Sequence, residues 1–182
     1  MTEQLPMDRR FGLGPIDQIS FAVRNLDEAL PRYTAMFGGP LRVMDVPGLE
    51  VVVGGVPTSA TLRIGFGSTG PSGDIEVELV EVVSGDWPTL AWLDEHGEGL
   101  HHVRYPVDDL AAVRAELVAA GFEVLLEEPN DVFAYLASPL LNGMAVELIS
   151  LSTRDGSPPV VAQRGPVHHD VLVVPPASVG RS

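Results

Sequence analysis

Gln18-Ile19-Ser20-Phe21-Ala22-Val23 returns, in pattern, as His102-Val103-Arg104-Tyr105-Pro106-Val107. Both runs are short and β-prone, so each reads as a strand. Each leads into a helix start. In the first, Asn25 is a good N-cap, and Glu28 three residues on completes a capping-box pattern. In the second, Asp109 takes the cap position. Leu26 matches Leu110, and Tyr33 matches Leu117, on the face to be buried. Gly38-Gly39 and Gly121 supply the stops. Pro31 lies inside the first helical pattern. It removes a donor and crowds the turn before it, so a kink or a late start is expected.

Working outward, each helix is followed by three β-prone stretches separated by turn residues. In the first half these are Leu41–Val46, Thr61–Phe66 and Ile75–Val82. In the second they are Glu123–Glu127, Phe133–Ala137 and Ala145–Ser150. The halves end alike, in Val77-Glu78-Leu79 and Val146-Glu147-Leu148. The chain therefore divides into a loose leader (1–14), a first βαβββ module (15–84), a linking segment (85–98), a second module (99–151) and an extended Pro-rich tail (152–182). Trp87 to Glu95 reads as a short linking helix with Trp92 on its apolar face. One module alone leaves a sheet face uncovered. The expected class is α+β: tandem βαβββ modules forming a curved mixed sheet around a central cavity.

The composition narrows the function. The chain has 182 residues, 45% of them hydrophobic, and a formal charge of −14. Such acidity disfavours nucleic-acid phosphates and anionic membranes. No cysteine is present, so there is no disulfide, Cys-ligated zinc or thiol nucleophile. No lysine is present either, which excludes Schiff-base chemistry. The polar start MTEQLPMDRR lacks the apolar core of a signal peptide, and no apolar run is membrane-length; a cytoplasmic protein is expected.

The repeat superposes Gln18 on His102 and Glu78 on Glu147. Side chains alternate along a strand. Each Glu lies between two apolar residues and so points away from the face they use, either to water or to the cavity. Because both halves repeat the arrangement, the cavity is preferred. Gln18, Glu78, His102 and Glu147 would then converge at the junction. One imidazole and three oxygen donors suit zinc, nickel, cobalt or manganese, and leave room for two adjacent substrate oxygens. The plain alternative is four polar side chains that are solvated or hydrogen-bonded.

Several segments carry a resemblance. Gly97-Glu98-Gly99-Leu100-His101-His102-Val103, Pro106-Val107-Asp108-Asp109-Leu110, Ile16-Asp17-Gln18-Ile19 and Val146-Glu147-Leu148 resemble the glyoxalase, bleomycin-resistance and extradiol-dioxygenase superfamily. That superfamily has the vicinal oxygen chelate fold, and its methylmalonyl-CoA epimerase-like branch matches best. The resemblance spans roughly residues 15 to 151. It implies a metal-dependent isomerase, epimerase or lyase, commonly a homodimer, acting on a small oxygen-rich molecule or acyl thioester. The epimerases usually carry His where this chain has Gln18; Gln there resembles the Gln-Glu-His-Glu ligand set of eukaryotic glyoxalase I. Extradiol dioxygenases need a second His at that place, so Gln18 counts against them. The epimerases also carry a second catalytic Glu where ungapped alignment puts Arg63, which counts against that particular activity.

The implied chemistry is proton transfer next to a carbonyl, with the ion stabilising an enolate. Glu147 is the first choice of base by resemblance, and Glu78 the second. Arg63 and Arg104 are candidates for a substrate carboxylate, the alternative being pairing with the chain's own acids. Tyr135 is a candidate to offer its hydroxyl to a ligand, the alternative being a core aromatic with a wet tip. His101 is expected on the face opposite His102, in a structural role. His96 is expected to cap helix carbonyls, and the tail pair His168 and His169 to be solvated. The rival function is a ligand-sequestering protein of the same fold without metal or turnover. Trp87 and Trp92 are expected near any dimer interface.

Overall fold

The computed structural model describes residues 11, 13–68 and 75–151; the expectations placed on the first ten residues and on the tail, including His168 and His169, lie outside them. The order of elements is β1 (Gln18–Ala22), α1 (Leu26–Phe37), β2 (Arg42–Val53), β3 (Val56–Ser68), β4 (Glu76–Gly85), α2 (Pro88–His96), β5 (Gly99–Val107), α3 (Leu110–Ala119), β6 (Glu123–Glu127), β7 (Phe133–Ala137) and β8 (Ala145–Ser150).

Both long helices begin where the caps dictate. Asn25 accepts from the Glu28 N–H at 3.2 Å, and Asp109 from the Ala112 N–H at 2.9 Å. Asp27 and Glu28 in the first turn of α1 favour the positive end of the helix dipole. α1 starts on schedule and runs through Pro31, which lies exposed, so no late start occurs. Gly38 closes it in the left-handed region at φ 78°, a conformation that penalises a Cβ.

β2 and β3 are longer than the sequence suggested. Pro47-Gly48 reads as a turn, yet the register shifts between Val46 and Leu49 and the strand continues to Val53. The bulge accommodates a proline that has no ladder donor. The chain reverses instead at Gly54-Gly55, both at positive φ (56° and 81°), as a two-residue hairpin with right-handed strand twist requires.

The strands close a barrel in the order β1-β4-β3-β2-β6-β7-β8-β5. Two similar halves are visible in that order. In each, the first strand pairs parallel with the last, β1 with β4 and β5 with β8. The halves join along β1 and β5, antiparallel from Gln18 to Ala22. On the far side their backbones pair, among the described residues, at Val52–Glu127 and Val53–Leu126.

Alternation sorts the side chains. Outside, α1 buries Leu26 and Ala29 against Val23 and Leu79, and α3 buries Leu110 and Leu117 against Val107, Val146 and Leu148. Each fully buried leucine contributes roughly 2 kcal/mol. Inside, Leu62, Ile64, Val80, Trp87, Leu126, Phe133 and Tyr135 form one apolar cluster. Trp87 is therefore packed in its own barrel, edge-on to Tyr135. Trp92 is half-buried and stacks on His96, with ring centroids 5.0 Å apart. Among the described residues no helix is long and apolar enough to cross a membrane.

Candidate functional site

Four strands lie side by side as β4-β1-β5-β8, with the junction of the halves at their centre. The register sets their inward side chains against one another: Ser20 pairs with Glu78 and with His102, and Arg104 pairs with Gln18 and with Glu147. The result is a polar cluster inside the barrel. Gln18, Ser20 and His102 are at most 1% exposed, and Glu78, Glu147, Arg104 and Tyr135 at most 8%. Burying that many polar groups is costly unless they satisfy one another.

Most do. His102 Nε2 lies 3.1 Å from Glu147 Oε2 and 3.5 Å from Glu78 Oε2. Ser20 Oγ donates to Glu78 Oε2 at 2.7 Å. The Tyr135 ring packs against His102, with centroids 4.6 Å apart. Arg104 donates to both oxygens of Asp17, at 2.9 and 3.2 Å, and lies 3.5 Å from Glu76. Gln18 Nε2 donates to Glu76 Oε1 at 2.8 Å. Two atoms are left over: Gln18 Oε1 and His102 Nε2 are buried without a hydrogen-bond partner. His102 Nε2 stands close to both carboxylates but is aligned with neither.

The electrostatics follow from burial and charge. Burial alone would keep His102 neutral, but Glu147 and Glu78 outweigh it and raise its pKa to about 9. Burial works to raise the Glu78 carboxyl; His102, the Ser20 hydroxyl and Arg104 outweigh it and hold it below the usual range. Burial, then the two carboxylates, pushes the Tyr135 phenol well up, so it stays protonated and able to donate.

Glu78 and Glu147 thus approach one another at His102 Nε2, while Gln18 lies two residues from Ser20 along the same face of β1 with its amide on Glu76. Among the described residues, no group of three or more His, Cys, Asp or Glu side chains stands ready-made around an ion. Two donor–donor distances in the cluster are nevertheless near those an ion would need. Two donors each about 2.1 Å from an ion and at right angles stand roughly 3.0 Å apart. The observed 3.1 and 3.5 Å are near that spacing. A cation at this place would also satisfy His102 Nε2.

Of the two readings of Arg63 and Arg104, the contacts follow pairing with the chain's own acids. Arg63 does not face the barrel interior. It pairs in register with Glu81 on the outer face and reaches Asp27 at 2.9 and 3.0 Å, Glu81 at 3.4 Å and Asp45 at 3.5 Å. It ties the start of α1 to the sheet. Arg104 does share the face of His102, but Asp17 and Glu76 occupy its guanidinium.

His101 is not opposite His102. The register between β1 and β5 shifts between Ser20 and Phe21, so His101 is an extra residue in β5. That bulge breaks the alternation and brings the two Nδ1 atoms to 2.9 Å. His96 Nδ1 lies 3.2 Å from the Trp92 carbonyl, within its own helix.

Asp17, Ser20 and Glu76 were not singled out from the sequence. The signal was present for two of them. Ser20 lies two residues beyond Gln18, and Glu76 two before Glu78, on the same strand faces.

A family model described as Glyoxalase/Bleomycin resistance protein/Dioxygenase superfamily matches residues 17–136. No curated protein matches the chain in sequence. Solved structures do match. A variant methylmalonyl-CoA epimerase of Streptomyces coelicolor, in complex with 2-nitronate-propionyl-CoA, is 22% identical over 76% of this chain and 97% of its own, with a TM-score of 0.53. The methylmalonyl-CoA epimerase of Mycobacterium tuberculosis is 16% identical over 80% and 93%, at 0.50. A methylmalonyl-CoA epimerase in complex with methylmalonyl-CoA and NH4+ is 22% identical over 81% and 99%, at 0.51. At these identities the likeness is one of fold.

Proposed function

Since the chain belongs to the glyoxalase/bleomycin resistance protein/dioxygenase superfamily, we propose that it is an isomerase or epimerase that moves a proton at a carbon next to a carbonyl. The observation that carries this is the convergence of two buried carboxylates on His102 Nε2, which is itself left without a hydrogen-bond partner. Gln18, Glu78, His102 and Glu147 would hold a divalent ion, which would polarise a carbonyl oxygen and so acidify the neighbouring C–H.

The two carboxylates are not equivalent. Glu78 is anchored by the Ser20 hydroxyl, which lowers its basicity. Glu147 Oε2 faces His102 Nε2 at 3.1 Å. Glu147 is therefore the better base: it can swing to the substrate carbon, take the proton and return it. Tyr135 keeps its hydrogen and can donate to a substrate oxygen. Arg104, held by Asp17 and Glu76, orders the rim through Glu76 and Gln18 rather than gripping substrate. The apolar side chains next to the cluster, among them Ile64, Val80 and Phe133, exclude the water that would quench a carbanion.

The substrate class proposed is a 2-substituted acyl thioester or an α-hydroxycarbonyl. The test is solvent-deuterium exchange into members of both classes, with zinc, manganese, cobalt or nickel added. Wild type should exchange only with an ion present, and Glu147→Gln should lose most of that exchange. Failure to bind any of the four ions would overturn the reading and favour a ligand-sequestering protein of the same fold.

A further inference from the structure

His101 is 3% exposed and lies beside the cluster without facing its centre. Its Nε2 is 3.3 Å from Thr89 Oγ1, on a residue of α2 that is 2% exposed. Trp92 meets it edge-on, with centroids 5.1 Å apart. Its Nδ1 is 2.9 Å from that of His102.

We propose that His101 is a positioning residue: it accepts the Nδ1 hydrogen of His102 and fixes that ring with the Nε2 lone pair facing Glu78 and Glu147. The inference rests on the reading that this cluster holds a divalent ion. Two nitrogens 2.9 Å apart share one hydrogen; both cannot donate. If His101 donated, the His102 hydrogen would sit on Nε2, aimed into the space where the carboxylates converge, and no nitrogen would be left for an ion. If His102 donates, every group has a role. His101 accepts at Nδ1 and uses its Nε2–H on Thr89 Oγ1, while His102 presents a lone pair toward Glu78 and Glu147. An imidazole ligand whose second nitrogen is tied to an acceptor is also held in orientation and made a stronger donor.

The bulge in β5 is what permits this contact. In a regular strand, residues next to each other point to opposite faces and their rings cannot meet. The inserted residue brings His101 beneath His102, and α2 supplies the far end of the relay through Thr89. The linking helix thereby has a part in the site although none of its side chains reaches the ion position.

The test uses ion-stripped full-length protein titrated with zinc and with cobalt by calorimetry. His101→Leu should weaken binding about 10- to 100-fold. His101→Gln, whose amide can accept from His102 and donate to Thr89, should recover most of it. Thr89→Val releases only the far nitrogen and should weaken binding a few-fold; it also serves if His101→Leu does not fold.

Nitrogen-15 NMR of the ion-free protein, with the ring neutral, reads the His102 tautomer directly. Wild type should carry the hydrogen on Nδ1, and His101→Leu should shift it toward Nε2. A folded His101→Leu with unchanged affinity and unchanged tautomer would overturn the proposal, as would a His101→Gln as weak as His101→Leu. If wild type binds no ion, the proposed function falls, and the tautomer alone still decides the part played by His101.

Discussion

Raising the pH of the ion-free protein should destabilise it through a single buried ring. His102 keeps its extra proton up to about pH 9 when folded, against 6.5 ordinarily. Between those values the folded chain holds a proton that the unfolded chain has released, so stability falls as pH rises. The limiting slope is about 1.4 kcal/mol per pH unit, and the whole window amounts to about 3 kcal/mol. This stabilisation is fully present below the unfolded value and gone above the folded one. His101 acts oppositely and in another range. Burial and its neighbours His102 and His96 depress its pKa well below 6.5, so its contribution is lost as pH falls.

The groups acting on His102 are Glu147, Glu78 and His101, with Arg104 and Tyr135 close by. Glu147→Gln removes one of the two charges that hold the proton. The ring should then titrate about 1–2 units lower, and the destabilising window should narrow accordingly. Urea unfolding at closely spaced pH values, run beside an NMR titration of the His102 ring, measures both. A wild-type stability that is flat across the window, or an unchanged ring titration in Glu147→Gln, would refute the electrostatic account.

Ion retention should fall most in His102→Ala and Glu147→Gln and least in Gln18→Ala, because a neutral amide oxygen is the weakest donor of the set; titration of stripped protein gives the order. Trp87→Ala should cost about 3–5 kcal/mol by denaturant unfolding, since it empties the middle of the barrel core. Arg63→Gln should leave ion binding and exchange activity unchanged, because its partners Asp27, Asp45 and Glu81 lie on the outer face. Light scattering at working concentration checks the homodimer expected from the resemblance, which predicts twice the chain mass.

The parts of the fold legible in the sequence were those set by local chemistry. Asn25 and Asp109 announce helix starts, Gly38 a stop, and the repeated Val-Glu-Leu puts an apolar pair outside and a carboxylate inside. What escaped depended on partners distant in sequence. Pro47-Gly48 has the composition of a turn, and only pairing with β3 turns it into a bulge. His101 obeys alternation until β1 forces an extra residue into β5. Counting back from Glu78 along the sequence does not tell on which side of the pleat Arg63 falls. Its register partner Glu81 and neighbour Asp45 decide that, together with Asp27 on the helix above. Ser20 and Glu76 shared faces with residues already chosen, and were missed because neither has a polar counterpart in the other half that fits an ion.

The unequal seams of the barrel have a dynamic consequence. Along β1 and β5 the halves share a full strand's length of paired backbone beneath the buried cluster. Along β2 and β6 they share two residue pairs at a hairpin tip and a strand end. Opening the second seam breaks few backbone bonds, so the apolar packing of Val51, Val53 and Leu126 in the barrel interior is what chiefly holds it shut. Those amides among Val52, Val53, Leu126 and Glu127 that bond across this seam should exchange with solvent hydrogen before those of Ile19 and Val103. The molecule would then breathe as two half-shells joined by a stiff spine, with the polar cluster on the spine and the crack opposite it.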